Sequence, residues 1–247
     1  MALVDRIFDV LEYVAEHEPA RVVDLCTDLG LPRPTVHRLL ATLIARGYVQ
    51  HDADGHVYRI GRVLASLSSR GGLTSKIVEM AEPALVRLRD ITGETVNLGV
   101  VTGGRIVYAA ALEGSRVPRM SVDVGQDVPP HAAAMGKAIL AALPRERRAA
   151  LLGPEPYPRY TAQTIGSLDV LVGELELTTT RGYAVDQEEV DLGAVCVAAA
   201  IVGPSGVPVA GLSVSGTTSR IDVAQQRELG KQIIEWCEHV SALLAPS

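Results

Sequence analysis

Along the first part of the chain the apolar positions recur with the period of a helix. Val4, Ile7, Val10, Leu11 and Val14 fall on one stripe, and Val36, Leu39, Leu40 and Leu43 repeat at the i, i+3, i+4, i+7 spacing of one helical face. Val22, Val23, Leu25 and Leu29 lie between them and form the partner face of a short helix. Gly30 suits a left-handed helix terminus, and Pro32 and Pro34 stand beside or within the next first turn, where a missing amide donor is tolerated. The pattern predicts a covering helix followed by two helices around a short, stiff turn.

The period then drops to that of strands. Residues 47–51 and 56–61 flank Asp52-Ala53-Asp54-Gly55, which reads as strand, turn and strand, a hairpin wing behind the helices. Next come a short helix over 63–69, a break at Gly71-Gly72, and a long amphipathic helix over 73–92 with Ile77, Met80, Leu85 and Leu88 inward. From Glu94 onward strand patterns dominate. Segments 95–102 and 105–112 flank Gly103-Gly104, a two-residue hairpin signal, and 117–124 reads as a third strand. Further strands are predicted over 183–185, 194–202 and 207–215, with helices over 136–143, 168–180 and 222–244. The fold class is therefore α+β, an antiparallel sheet with flanking helices that leaves room for a pocket at one side of the sheet. The predicted organisation is a reading domain over 1–61, linker helices over 62–92 and a second domain over 93–247.

Two short helices and a wing match the layout of a winged helix-turn-helix, whose second helix enters the major groove of DNA. With Val36, Leu39, Leu40 and Leu43 buried, the outward positions of that helix are Arg33, Thr35, His37 and Arg38, with Thr42 a turn further on. These types meet phosphates and base edges. Arg59 lies on the wing and Arg62 just past it, where a cation can reach an adjacent phosphate. The plain alternative is a helical hairpin and ribbon that only pack together.

Charge changes the picture once it is divided by region. The net charge of −6 is unpromising for a nucleic-acid partner. Between Gly30 and Arg62, however, Arg33, Arg38, Arg46, Arg59 and Arg62 face only Asp52 and Asp54. One modest basic patch binds weakly, so two copies on a two-fold DNA repeat are expected. The 247 residues, 47% of them apolar, are enough for two cores. No apolar run is long enough to span a bilayer, and the N-terminus lacks the basic start of a signal peptide, so no membrane partner and a cytoplasmic location are expected. Cys26, Cys196 and Cys237 are scattered without metal-ligand spacing, which suggests neither a disulfide framework nor zinc. Gly136-Lys137 lacks the spaced glycines and following hydroxyl of a phosphate-binding loop, which argues against nucleotide hydrolysis.

Several stretches, in order, resemble the isocitrate-lyase-regulator (IclR) family of bacterial transcription factors. They are Gly30-Leu31-Pro32-Arg33 running into Thr35-Val36-His37-Arg38-Leu39-Leu40, then Thr92-Gly93-Glu94-Thr95-Val96, Pro130-His131-Ala132 with Gly136-Lys137-Ala138-Ile139-Leu140, Gly182-Tyr183-Ala184 through Asp186, Glu188 and Glu189 to Cys196, and Leu212-Ser213-Val214-Ser215-Gly216. The resemblance implies a winged helix-turn-helix, a GAF-like domain that binds a small effector, and dimers that commonly pair into tetramers. It implies no enzyme and no cofactor. Carried over position by position, it makes Asp186, Cys196, Ser213 and Ser215 effector contacts, together with backbone amides around Ala134, Met135 and Gly136. Such groups suit an oxygen-rich ligand, an organic or aromatic acid. The chain departs from the family pattern at Pro34, often a serine, at Ala132-Ala133-Ala134-Met135, which usually includes a threonine or serine, and at Ala198-Ala199-Ala200, which lacks a common proline. The last two changes make the pocket more apolar. Two rival readings remain at this stage: an enzyme with Cys196 as nucleophile and His131 as base, and a ligand sensor that binds no DNA.

Overall fold

A computed structural model describes residues 3–17, 19–51, 57–61, 63–64 and 72–245. Its contacts divide the chain into two compact units, one up to Ser75 and one from Lys76 onward.

The first unit is built from α1 (Leu3–Glu16), α2 (Val22–Asp28), α3 (Arg33–Ala45), β1 (Val49–His51) and β2 (Tyr58–Ile60). Its core joins Val10, Tyr13 and Val14 of α1, Val22 and Leu25 of α2, and the whole predicted stripe Val36, Leu39, Leu40 and Leu43 of α3. Ile7, Leu11 and Leu29 are partly buried against it, and the side chain of Val4 lies outside the described residues. Val23 departs from expectation: it is 64% exposed, because α2 is only seven residues long and a single turn-spaced pair, Val22 and Leu25, suffices to face α3. Gly30 adopts φ +62°, the left-handed turn between α2 and α3 that a Cβ would disfavour. Pro34 sits in the first turn of α3, where no intrahelical amide bond is lost. β1 and β2 pair antiparallel, Val49 opposite Ile60 and His51 opposite Tyr58, and Tyr58 also exchanges two backbone hydrogen bonds with Ala20 at 2.9 Å. The wing's predicted turn at 52–55, Arg62, and most of the predicted short helix over 63–69 lie outside the described residues.

The second unit carries α4 (Leu73–Thr92), β3 (Thr95–Thr102), β4 (Arg105–Leu112), α5 (Ala134–Ala142), α6 (Ala149–Leu152), α7 (Leu168–Arg181), β5 (Ala184–Gln187), β6 (Ala194–Val202), β7 (Pro208–Thr217) and α8 (Val223–Leu244). The strands form one five-stranded antiparallel sheet in the order β4-β3-β7-β6-β5. Strand period fixes its two faces. Val96, Leu98, Val195, Val197, Leu212 and Val214 point to one side, where α4 supplies Ile77, Leu85 and Leu88 and α8 supplies Ile233, Cys237 and Val240. The other side is covered by α5 and α7 through Met135, Ile139, Leu171 and Leu175. Small residues let α5 come down onto this face: a Cβ on Gly99 would stand 2.3 Å from Met135 Sδ, and one on Gly211 2.9 Å from Met135 Cγ. Asp222 caps α8 in a reciprocal box with Gln225, at 2.9 and 3.2 Å.

The third strand predicted over 117–124 does not form. Residues 125–128 pair with β4 instead, Tyr108 N donating to Gln126 O at 3.0 Å and Val128 N to Ile106 O at 2.8 Å. Val117 and Val124, apolar on paper, are 81% and 64% exposed, so the alternation there has no buried face to serve. Among the described residues no helix is long and apolar enough to cross a membrane.

Candidate functional site

In the first unit the buried stripe of α3 fixes what faces outward. At 100° per residue Arg38 lies nearly opposite that stripe, flanked by Arg33 and His37 on one side and Thr42 and Thr35 on the other. Arg33, His37, Arg38 and Thr42 are exposed, and Thr35 is half-buried. The Thr42 hydroxyl donates to the Arg38 carbonyl at 2.9 Å, which keeps its oxygen free to accept but commits its proton. Arg59 is exposed on β2 opposite Gln50. Among the described residues, no carboxylate lies within ion-pair distance of Arg33, Arg38, Arg46 or Arg59. The face is a set of cations carried on a packed scaffold, without an ion-pair partner among the described residues.

In the second unit the sheet register gathers residues far apart in sequence. Asp186 on β5 pairs with Cys196 on β6, Cys196 with Ser215 on β7, and Ser215 with Thr95 on β3. Two positions along, Ser213 pairs with Ala198 on one side and Asn97 on the other. Both rows point to the face that α5 covers. A cavity of about 360 Å³ opens there, walled by Asp186, Cys196, Ser213 and Ser215, by Ala134 and Met135 at the start of α5, by Tyr108, and by Met120, Ser121 and Val122 from the segment predicted as a strand. Six of the seven positions named from the resemblance thus share one cavity. The seventh, Gly136, stands behind the wall: a Cβ there would lie 2.5 Å from Pro130 Cα and 2.6 Å from Pro130 O. Its part is to let α5 start against Pro129-Pro130.

That start is chemically open. α5 has no side-chain cap, and among the described residues the amides of Ala134, Met135 and Gly136 have no acceptor. Three parallel N–H groups at a helix N-terminus favour an anionic or carbonyl oxygen. Opposite them, Asn97 Nδ2 donates to Ser215 Oγ at 3.2 Å and to Ser213 Oγ at 3.4 Å, leaving Asn97 Oδ1 buried without a partner.

The acids beside this opening are perturbed. Burial pushes the Asp186 carboxyl up to about 6, although the Glu189 amide donates to Asp186 Oδ1 at 2.7 Å and Lys137 draws the carboxyl back. Burial likewise raises Glu189 to about 7 against the pull of Lys137. Lys137 is only 1% exposed: its ammonium pairs with Glu189 Oε1 and stands 3.8 Å from Glu174, which itself takes Arg181 at 2.7 Å. Glu189 Oε2 is buried with no partner. The turn that carries these acids is pinned. Glu188 holds φ 60°, an unfavourable region for a side-chain-bearing residue, and the hydroxyls of Thr161 and Thr164 donate to the carbonyls of Glu188 and Glu189 at 2.6 Å each.

Sequence reasoning named Lys137 and Glu189 without giving either a place in the site, and did not single out Asn97, Tyr108 or Tyr160. A signal existed for two of them. Lys137 is the lone charge in the apolar helix AMGKAILAA, and Asn97 shares strand parity with Thr95.

The pairing of Cys196 with His131 is not assembled among the described residues. Burial, then the charge of Asp186, pushes the Cys196 thiol up, away from the thiolate. His131 stacks on Tyr157 and Tyr160 at 5.1 and 5.9 Å between ring centroids and bonds the Pro158 carbonyl through Nε2 at 2.8 Å. No hydrogen bond joins it to Cys196 among the described residues. A larger cavity, about 470 Å³, lies between α5, α7, β6 and α8; its wall is mostly apolar, and Thr179, Ser241 and Cys237 on it already donate to the carbonyls of Leu175, Cys237 and Ala199. We therefore place the chemistry in the smaller, polar one.

Comparison with known proteins agrees with both halves. The family description "IclR helix-turn-helix domain" matches residues 3–53, and "Bacterial transcriptional regulator IclR C-terminal" matches residues 73–242. HTH-type transcriptional regulator BhcR of Paracoccus denitrificans is 33% identical over 244 residues, covering 98% of this chain and 87% of that protein. Transcriptional repressor IclR of Escherichia coli is 32% identical over 235 residues, covering 94% and 86%. The crystal structure of the Thermotoga maritima IclR superposes with a TM-score of 0.67 at 29% identity, covering 98% of each chain.

Proposed function

The chain belongs to the IclR family of bacterial transcriptional regulators, and on that premise we propose that it reads operator DNA with the exposed face of α3 and the wing, and changes its grip when a small organic or aromatic acid fills the cavity beneath α5. Arg33, Thr35, His37, Arg38, Thr42 and Arg59 are the DNA contacts. Ala134, Met135, Gly136, Asp186, Cys196, Ser213 and Ser215 are the effector contacts, Gly136 through its amide alone.

The observation that carries the sensing half is the convergence of unpaired α5 amides with the hydroxyls of Ser213 and Ser215 around one cavity. Donors so placed match the oxygens of a carboxylate or a hydroxyl. Tyr108 and Tyr160 supply flat walls for a ring or a short carbon chain. On the reading side, one head offers few phosphate contacts, so two copies of the chain grip a pseudo-palindromic operator and dimers pair into tetramers. The effector acts by favouring one arrangement of the segment 62–92 that joins head and sensor, since a ligand with equal affinity for both arrangements shifts nothing.

A fluorescence-anisotropy titration of the purified chain against the DNA upstream of its own gene, at two salt concentrations and with a panel of small organic and aromatic acids, tests this. Specific, salt-steep binding that one acid alters is the expected result. Absence of DNA binding in every condition overturns the regulator reading in favour of a sensor without DNA.

A further inference from the structure

The cavity wall holds a charge imbalance. Lys137 is the one buried ammonium of this region among the described residues, and it faces two buried carboxylates, Glu189 in direct contact and Asp186 through space. Glu174 does not restore the balance against Asp186, because Arg181 already neutralises it at 2.7 Å. The remaining groups near Asp186 worsen the imbalance or leave it unchanged: Asp191 adds negative charge from the turn, and Tyr108 on β4 and Cys196 on β6 are held neutral by burial. Glu189 Oε2 is buried without a partner, so Lys137 and its one contact at Oε1 leave part of that carboxylate uncompensated. Two carboxylates that share one counter-ion in a dry wall do not both ionise readily.

An ionised Asp186 in the cavity also opposes the effector class argued above, for a carboxylate ligand meets a carboxylate wall. We propose that Asp186, Glu189 and Lys137 form a proton-holding wall, so that an acid effector is captured as its carboxylate together with one proton, which rests on Asp186 and turns a repelling charge into a hydrogen-bond donor. The step balances: a proton from solvent joins the Asp186 carboxylate, no other bond is made or broken, and the ligand keeps its charge against the α5 amides. Lys137 and Glu189 do not line the cavity and act as positioning residues. Lys137 keeps the acid pair from being expelled, and Glu189 competes with Asp186 for it. The perturbed carboxyls, Asp186 at about 6 and Glu189 at about 7, lie in the range this sharing requires. This inference rests on the acid-sensor reading of the same cavity.

The test has two readouts on the full chain. Carboxyl carbon NMR of ligand-free protein labelled at Asp and Glu is expected to show a carboxyl titrating near neutral pH. In Asp186→Asn the aspartate transition should be gone while the Glu189 carboxyl still titrates, the aspartate and glutamate carboxyl carbons being resolved from each other. Sodium benzoate, added to weakly buffered protein at neutral pH, should draw up to about one proton per molecule bound, and clearly less in Asp186→Asn, which has no carboxylate there to take it. Glu189→Gln serves if Asp186→Asn does not fold, and it should keep a raised aspartate transition, because burial raises Asp186 first. No carboxyl titrating above the ordinary range, or benzoate binding without proton uptake, overturns the proton-holding wall. If the near-neutral carboxyl is present and neither benzoate nor any other acid binds, the capture step falls together with the acid-sensor reading, while the charge sharing stands.

Discussion

The two units of this chain expose opposite logics for a functional surface. In the first, the candidate residues project outward from a helix whose inner face is fully occupied, and their charges have no partner among the described residues. In the second, the candidates point inward from a sheet face, and the one charged candidate, Asp186, is buried beside the paired Lys137 and Glu189. An outward cation costs little to keep unpaired, because water solvates it until a phosphate arrives. An inward acid is costly, and the structure answers with Lys137 on Glu189, a backbone amide on Asp186 and a shifted proton affinity. The difference teaches where each function is vulnerable. On the proposed reading, the outward face is most sensitive to loss of charge, and the cavity to loss of both packing and charge.

The sharpest way to break that comparison is to remove charge from the reading face. Combined Arg33→Ala and Arg38→Ala should weaken operator binding about a hundredfold and flatten its salt dependence by roughly one phosphate contact for each arginine, with thermal stability nearly unchanged. Anisotropy titrations at several salt concentrations read both quantities. A comparable loss from stability alone would erase the distinction between the units.

Packing under the cavity is the next lever. Gly136→Ala places a Cβ 2.5 Å from the Pro130 backbone, and backbone cannot rotate away as a side chain can. We expect a loss of about 1–3 kcal/mol, read as a lowered denaturation midpoint of the second unit together with weakened acid binding.

The smallest effect concerns pH. Asp186 is raised from 3.8 to about 6 by burial, so the folded chain holds that proton more tightly than the unfolded chain. Its contribution to stability is complete below the unfolded value and is lost as pH rises through about 6. Asp186→Asn, which can still accept the Glu189 amide, should therefore gain on the wild type between mildly acidic and mildly alkaline pH, by about 1–2 kcal/mol in denaturant melts. A difference independent of pH would show Asp186 to be an ordinary solvated acid.

How much of this was legible in the sequence follows from the same contrast. The stripe Val36, Leu39, Leu40 and Leu43, the left-handed Gly30 and the outward Arg33 and Arg38 are local features of period and turn chemistry, and the structure has each where the pattern put it. The strands that frame the Gly103-Gly104 turn and the central β6 and β7 were readable for the same reason. Segment 117–124 was not, because an alternating pattern carries no record of whether a partner edge is free, and 125–128 had taken it. Val23 misled in the same way, an apolar residue that a seven-residue helix leaves outside. Asp186, Cys196, Ser213 and Ser215 were found by resemblance, since only the register of three strands brings them together. The pairing of Lys137 with Glu189 spans 52 residues and has no local signature beyond a charge in an apolar helix.

The central claim is that reading and sensing reside on separate residue sets. Its most direct measurement is operator binding by the wild type, Arg38→Ala and Asp186→Ala, each with and without the acid that alters wild-type binding. Arg38→Ala should bind DNA weakly while the acid still raises its melting temperature, and Asp186→Ala, which has no group left to donate to the acid, should bind DNA normally while the acid no longer changes that binding. Loss of both properties in either variant would contradict the account.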